Sequence, residues 1–161
     1  MLSRRTALIA LAATSLAACG LLDNGKPAPQ VSFKTLTGKT FDTRSLIGQV
    51  TLVNFWATSC TTCVKEMPAL VATYQSLAPQ GYRTIAVAMA YDERSFLAPF
   101  VASRGIPFDV VFDADGAIAR AFDDTKLTPT SYLIDKQGQI VKRYVGEIHA
   151  DQLQAAVKAL L

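Results

Sequence analysis

Two runs of this chain are almost wholly apolar, and a helical pattern lies between them. Val50–Ala57 and Arg83–Ala90 are rich in β-branched and small apolar residues, as expected of central strands that are covered on both faces. Cys60–Leu77 repeats its apolar residues at the spacing of a helix. One broad face of that helix carries Cys60, Cys63, Met67, Leu70, Val71, Tyr74 and Leu77.

Shorter patterns predict the other elements. These are a hairpin of Val31–Thr35 and Lys39–Asp42, a helix over Asp92–Arg104 with Asp92 as candidate N-cap, a strand over Asp109–Phe112, a helix over Ala114–Phe122, a hairpin of Thr130–Asp135 and Gln139–Val145, and a helix over Asp151–Leu161. Strands that alternate with helices predict an α/β fold. We expect a central mixed β-sheet flanked by helices, with an added N-terminal β-hairpin.

The first 18 residues have the layout of a secretory signal peptide. Arg4 and Arg5 form a basic start, and the apolar run Ala7–Ala18 is too short to span a membrane comfortably. The run ends in Leu16-Ala17-Ala18-Cys19, which resembles a bacterial lipoprotein signal, whose Cys becomes the acylated N-terminus. The sequence therefore predicts lipidation of Cys19. An ordinary signal peptide or an uncleaved anchor would leave this Cys unmodified.

Removal of that segment changes the bulk composition. The chain has 161 residues and a formal charge of +3, so the loss of 18 residues and two arginines leaves 143 residues with a charge of +1. This size fits one domain, predicted over residues 31–161 after a polar tether at 19–30. So small a charge gives no sign of a nucleic-acid partner. Acylation of Cys19 also leaves Cys60 and Cys63 as the only pair among three cysteines.

Cys60 and Cys63 lie where the first apolar strand gives way to the helix. A helix N-terminus offers unpaired N–H groups and the positive end of the dipole, and both stabilise a thiolate. The thiolate is the nucleophile of disulfide exchange, and such sites lower a Cys pKa from about 8.5 to about 3.5–7.5. The pair is therefore predicted to be a redox-active disulfide.

Two polar residues lie close to this pair in the predicted elements. Glu66 falls at the flank of the apolar helix face, one turn after Cys63, where partial shielding would raise its pKa and suit it to acid–base catalysis. The alternative is a solvated Glu at the rim of the helix. Asn54 interrupts the apolar strand and is interpreted as structural, because an amide cannot titrate.

Three other positions give weaker signals. Pro129 directly precedes an apolar strand and suits a tight turn, although the base rate of about 5–6% for cis X–Pro bonds favours the trans form. Trp56 is either a substrate contact near the dithiol or a core residue. His149 is the only histidine and is interpreted as a surface or cap residue.

Around these positions the sequence resembles the TlpA/ResA group of membrane-anchored thioredoxin-like proteins. The likeness lies in Val53-Asn54-Phe55-Trp56-Ala57-Thr58, Cys63-Val64-Lys65-Glu66-Met67-Pro68, Phe112-Asp113-Ala114-Asp115-Gly116, Pro129-Thr130-Ser131-Tyr132-Leu133-Ile134-Asp135 and Gly138-Gln139-Ile140-Val141. It extends from about Pro27 to the C-terminus.

The resemblance implies a thioredoxin fold with a cis bond before Pro129. It implies that Cys60 is the attacking thiol and Cys63 the resolving thiol. It also implies that Glu66 acts as an acid and base, and that Thr128 pairs with the substrate backbone.

Two residues depart from the pattern of the group. The group usually has Pro before the second Cys and Trp or a similar residue before the first, whereas this chain has Thr62 and Ser59. Thr62 restores a backbone N–H that we expect to lie close to the Cys60 sulfur. The redox potential should therefore differ from that of a chain with Pro.

The predicted function is that of a periplasmic, membrane-tethered thiol–disulfide oxidoreductase that reduces disulfides of partner proteins. The expected partners are protein thiols and disulfides, a membrane electron donor of the thioredoxin-reductant type, and the membrane itself through the lipid on Cys19. The choice between inner and outer membrane stays open. We predict no cofactor and no metal ion, and a structural zinc site would lack ligands.

Two alternatives stay open at this point. A Cu(I)-binding metallochaperone-like module is chemically reasonable because soft thiolates hold Cu(I), but such modules use Cys-x-x-x-Cys and a distant His. A peroxiredoxin-type peroxidase would use Pro-x-x-x-Thr-x-x-Cys, and this chain has Val53 and Ala57 at the Pro and Thr positions.

Overall fold

The computed structural model of the protein describes residues 25–161, so the predicted signal peptide, Cys19 and the first part of the predicted tether lie outside the described residues. The strands are β1 Lys26–Pro27, β2 Ser32–Lys34, β3 Thr40–Asp42, β4 Val50–Trp56, β5 Tyr82–Ala88, β6 Asp109–Phe112, β7 Thr130–Ile134 and β8 Gln139–Val145. The helices are α1 Thr61–Leu77, α2 Arg94–Ser103, α3 Ala117–Ala121 and α4 Ala150–Lys158, with 3-10 turns at Thr43–Leu46 and Ala78–Gln80.

Within residues 25–161 the main sheet has the strand order β1-β8-β7-β4-β5-β6. The strands β4, β5 and β6 run parallel to one another. The pairs β4–β7, β7–β8 and β8–β1 are antiparallel. The strands β2 and β3 form a separate antiparallel pair. The sheet is therefore the predicted mixed sheet, and helices flank it.

The central strand β4 is buried along its whole length. Its side chains divide the core by alternation. Leu52 and Trp56 pack in the layer that contains the apolar face of α1, whereas Val53 and Phe55 pack in the layer on the other face of the sheet. Full burial of each such side chain contributes about 1.5–3 kcal/mol, so this packing fixes the strand that leads into the dithiol. By the same alternation, Asn54 lies on the α1 side.

The chain already pairs with the main sheet at β1, before the hairpin of β2 and β3. Lys26 and Pro27 pair with Ile140 and Gln139 at the outer edge of β8, and the Ala28 N–H donates to the Gly138 carbonyl at 2.9 Å. A Cβ on Gly25 would collide with the Ile140 carbonyl, so only glycine fits this close approach. These residues lie in the range predicted as a tether, and they cover backbone groups that an open sheet edge would leave unpaired.

The start of α2 differs from the prediction. Glu93 is the N-cap residue, and its side chain accepts a hydrogen bond from the Ser95 N–H at 3.3 Å. The prediction of Asp92 as N-cap is therefore wrong. Asp92 is buried instead and binds the loop that precedes Cys60, as described below. None of the helices between residues 25 and 161 has both the length and the apolar character needed to cross a membrane.

Candidate active site

The Cys60–Cys63 disulfide lies at the junction of β4 and α1. The Cα atoms of the two cysteines are 5.2 Å apart. Cys60, the predicted first residue of the helix, is the N-cap residue of α1, and its sulfur accepts a hydrogen bond from the Cys63 N–H at 3.2 Å. This contact places the Cys60 sulfur at the positive end of the helix, as the sequence predicts, but the donor is Cys63 and not Thr62.

The two sulfurs differ in their access to solvent. Cys60 is half-buried, and its neighbours Ser59, Thr61 and Thr62 are exposed. Cys63 has an exposed fraction of 0% and packs in the core layer between the sheet and α1. An incoming protein can therefore reach the sulfur of Cys60 and not that of Cys63.

Glu66 is far more buried than the sequence suggests. Its exposed fraction is 1%, because β4 covers one side of the carboxyl and the loop before α4 covers the other. Oε1 accepts from Asn54 Nδ2 at 2.9 Å, and Oε2 accepts from the Ile148 N–H at 3.1 Å. Burial raises the pKa of Glu66 from 4.5 to about 7, the two hydrogen bonds oppose that rise, and the nearby Glu147 carboxylate adds to it.

Asn54 joins this carboxyl to β7, the strand that follows Pro129. Its Nδ2 also donates to Ser131 Oγ at 2.9 Å, and both residues are buried. The two residues are register partners across β4 and β7. Sequence reasoning assigned Asn54 a structural role and missed Ser131. The available signal was two small polar residues within two apolar strands that were both predicted to be buried.

The Thr128–Pro129 bond is cis, the form that the resemblance implies and the base rate disfavours. Pro129 is buried, and its carbonyl accepts from the Gly146 N–H at 2.8 Å. Thr128 is half-buried, and its hydroxyl lies 2.9 Å from the Tyr91 hydroxyl. Tyr91 and Leu127, which directly precedes Thr128, are 60% and 64% exposed, so both present apolar surface at this contact.

The turn between β5 and α2 holds the loop that leads to Cys60. The Asp92 carboxylate accepts from the Thr58 N–H at 2.7 Å, from the Thr58 hydroxyl at 2.6 Å and from the Glu93 N–H at 3.0 Å. Because Tyr91 contacts Thr128, this single turn touches both the loop that leads to Cys60 and the residue that precedes Pro129. No pattern in the sequence indicated that bridge.

Comparison with known proteins places this arrangement in a family. Residues 23–160 match the family model for Redoxin. The chain belongs to the Redoxin family. It is 34% identical over 137 residues to a thiol-disulfide oxidoreductase ResA of Bacillus thuringiensis (strain Al Hakam), an alignment that covers 84% of this chain and 78% of the relative.

Solved structures agree with this assignment. A thiol:disulfide interchange protein of the thioredoxin family from Chlorobium tepidum TLS superposes with a TM-score of 0.78 at 28% identity, covering 84% of this chain and 96% of that chain. StoA from Bacillus subtilis has a TM-score of 0.69 at 25% identity, covering 80% and 96%. The predicted thioredoxin-like fold and the resemblance to the ResA group are confirmed. This Redoxin-family chain is a thiol–disulfide oxidoreductase with Cys60 and Cys63 as its cysteine pair.

Two candidates from the sequence lie away from the exposed part of this Redoxin site. Trp56 is fully buried, and its ring lies 5.2 Å from that of Phe100, so its side chain offers a substrate no surface. The structure therefore favours the core interpretation of Trp56 over a substrate contact. His149 is exposed at the N-cap position of α4, with no side-chain capping bond.

Proposed function

We propose that this Redoxin-family protein is a lipid-anchored periplasmic reductase of disulfides in partner proteins. The observation that carries the proposal is the burial of Glu66 one helical turn after Cys63, beside a disulfide of which only the Cys60 sulfur is accessible. The location is supported by the sequence Leu16-Ala17-Ala18-Cys19, with the lipid on Cys19.

The reaction begins from the reduced dithiol. The Cys60 thiolate attacks one sulfur of a substrate disulfide, a bond forms between those two sulfurs, and the other substrate sulfur leaves as a thiolate. Cys63 then attacks the sulfur of Cys60, the mixed-disulfide bond breaks as the Cys60–Cys63 disulfide closes, and the second substrate sulfur leaves as a thiolate, so that the substrate has gained two electrons and, after protonation, carries two thiols. A membrane electron donor of the thioredoxin-reductant type returns two electrons to the protein.

Glu66 supplies the proton step that burial makes necessary. A thiol as buried as that of Cys63 ionises poorly in apolar surroundings, so a base must accept its proton before it can attack. A carboxyl with a pKa of about 7 is present in both protonation states near neutral pH and is matched to that task. In the reverse step the same carboxyl returns the proton.

The surface beside the dithiol receives the substrate. Thr128, next to the buried Pro129, pairs with the substrate backbone. The exposed Tyr91, whose hydroxyl contacts that of Thr128, and the exposed Leu127, which precedes Thr128 in the chain, provide apolar surface beside it. Trp56 has no part in this surface because it is buried.

Trapping of mixed disulfides tests the assignment of the thiols. Cys63→Ser should accumulate disulfide-linked partner proteins through Cys60, since the resolving step is lost, and Cys60→Ser should trap none. More trapping by Cys60→Ser would reverse the roles. Mass spectrometry of the native N-terminus should find a lipid on Cys19, and an unmodified Cys19 or an intact Met1 would contradict the anchor.

The redox potential tests the direction. Equilibration with a glutathione buffer should give a value closer to that of thioredoxin, about −270 mV, than to that of the oxidant DsbA, about −120 mV. A potential close to the DsbA value would make the protein an oxidase.

A further inference from the structure

The amide of Asn54 is oriented by two acceptors. Its Nδ2 donates one hydrogen to Glu66 Oε1 and the other to Ser131 Oγ, both at 2.9 Å, whereas its Oδ1 has no hydrogen-bond partner among the described residues. A reversed amide would place Oδ1 against the carboxylate oxygen and would lose the bond to Glu66, whereas the Ser131 hydroxyl could donate to Oδ1 instead of accepting from Nδ2. The carboxylate therefore decides which end of the amide faces it, and Ser131 holds the same amide from β7.

We propose that Asn54 is a positioning residue for proton transfer by Glu66: its amide, which Ser131 also binds from β7, fixes the carboxyl against β4 and stabilises the carboxylate form. The inference rests on the role proposed for Glu66 above. It gives a second function to a side chain that cannot titrate, and it explains why a polar residue occupies the centre of the most buried strand.

The carboxylate needs such a donor because burial favours the neutral acid. A carboxyl with no hydrogen-bond donor in this place would stay protonated at neutral pH and could not accept a proton from Cys63. Two donors face it: the Ile148 N–H from the loop before α4, and Asn54 from β4. Only the second belongs to a side chain, so it is the one that substitution can remove.

Charged and titratable groups around Glu66 act in addition to these donors. Cys63 precedes it by one turn of α1. From the loop before α4, the Glu147 carboxylate disfavours ionisation of Glu66, and it is itself paired with Lys65 at 2.9 Å. His149 follows in the same loop and is exposed. The strands β4 and β7 contribute only the neutral Asn54 and Ser131.

The decisive variant is Asn54→Leu, which keeps the volume of the side chain and removes the amide. Thr51→Val is the matched control, because Thr51 lies on the same strand, is equally buried and has a hydroxyl with no hydrogen-bond partner among residues 25–161. Ser131→Ala is the second test variant. It leaves the amide in place and removes its second acceptor, and it stays informative if Asn54→Leu fails to fold.

The experiment is a ¹³C NMR titration of the Glu66 side-chain carboxyl in the oxidised protein, with the resonance assigned by its absence in Glu66→Gln. Asn54→Leu should raise the midpoint by about 1–2 pH units, which is the loss of one hydrogen bond to a charged group converted at about 1.4 kcal/mol per unit. Ser131→Ala should raise it by less, and Thr51→Val should leave it unchanged. An unchanged or lowered midpoint in both Asn54→Leu and Ser131→Ala would overturn the proposal.

The pH profile of disulfide exchange separates this inference from the proposed function. If the profile of Asn54→Leu moves upward together with the carboxyl titration, both stand. If Glu66→Gln slows exchange while Asn54→Leu leaves the midpoint of the Glu66 titration unchanged, the inference about Asn54 fails and the proposed function stands. If the titration moves and the exchange profile does not, the role proposed for Glu66 fails and the positioning role fails with it.

Discussion

The two cysteines of the disulfide lie in different surroundings. Cys63, on the inner side, is fully buried, whereas Cys60, on the outer side, is half-buried among exposed neighbours. The polar groups of the inner side, Glu66, Asn54 and Ser131, are bonded to one another or to the Ile148 N–H, and none is more than 1% exposed. The outer side presents hydroxyls and the exposed ring of Tyr91, with few polar contacts within the chain.

The comparison indicates where a substitution should matter. A hydrogen bond to a buried charge contributes roughly 1.5–3 kcal/mol, while exposed polar contacts contribute about 0–1 kcal/mol because water competes for them. The inner side is therefore suited to the movement of a proton between fixed groups. The outer side is suited to partners whose contacts form and break at every turnover.

The largest effect is expected for Glu66→Gln on the rate of disulfide exchange. A positioned acid–base group contributes about 10²–10⁴-fold, and the complete burial of Glu66 places the expected loss near 10²–10³-fold rather than at the small value of a solvated carboxyl. The profile should also lose the ionisation near pH 7. Stopped-flow reduction of a model disulfide between about pH 5 and about pH 9 measures both. An unchanged rate and profile would return Glu66 to a structural role.

The same variant should change how stability depends on pH. The pKa of Glu66 is about 7 in the folded protein against an ordinary value of 4.5, so the folded state binds more protons between those values and is destabilised as the pH rises. From about pH 4 to about pH 8, the unfolding free energy of the parent protein should therefore fall by about 3 kcal/mol relative to that of Glu66→Gln, whose side chain does not titrate. Urea unfolding of the oxidised proteins measures it, with the exposed Asp124→Asn as control. A difference that stays constant with pH would mean that Glu66 is not held as an acid with a raised pKa.

Asp92→Ala is expected to have the next largest effect, on the loop that leads to Cys60. The change leaves the Thr58 N–H, the Thr58 hydroxyl and the Glu93 N–H without their acceptor. Loss of this buried acceptor should cost about 2–3 kcal/mol, since an unpaired buried donor costs about 1–3 kcal/mol and the side-chain hydroxyl can turn elsewhere. Hydrogen exchange of the Thr58 amide should rise more than that of amides in β5. Equal protection of the Thr58 amide in variant and parent would show that Asp92 does not hold this loop.

The sequence predicted those features that depend on local pattern. β6 and β8 have the predicted bounds, and the cysteine pair was found from its spacing and its place between a strand and a helix. Contacts between distant parts of the chain left no such pattern. The Ile148 N–H that binds Glu66 belongs to the backbone, so no residue type in the sequence indicates it. It also lies 82 residues further along the chain. Without that loop, Glu66 could only be placed at the flank of a helix.

Thr62→Pro is expected to have the smallest effect, and it lies on the exposed outer side. From the sequence we expected the Thr62 N–H to bind the Cys60 sulfur, in which case Pro would destabilise the thiolate and lower the redox potential. The structure places the Cys63 N–H at 3.2 Å from that sulfur and Thr62 in the first turn of α1, where Pro is tolerated because the N–H has no helical partner. The potential should therefore change by less than about 30 mV, which for two electrons is about 1.4 kcal/mol. Equilibration of both proteins with a glutathione buffer measures it. A larger fall would show that the Thr62 N–H binds the Cys60 thiolate in the reduced protein.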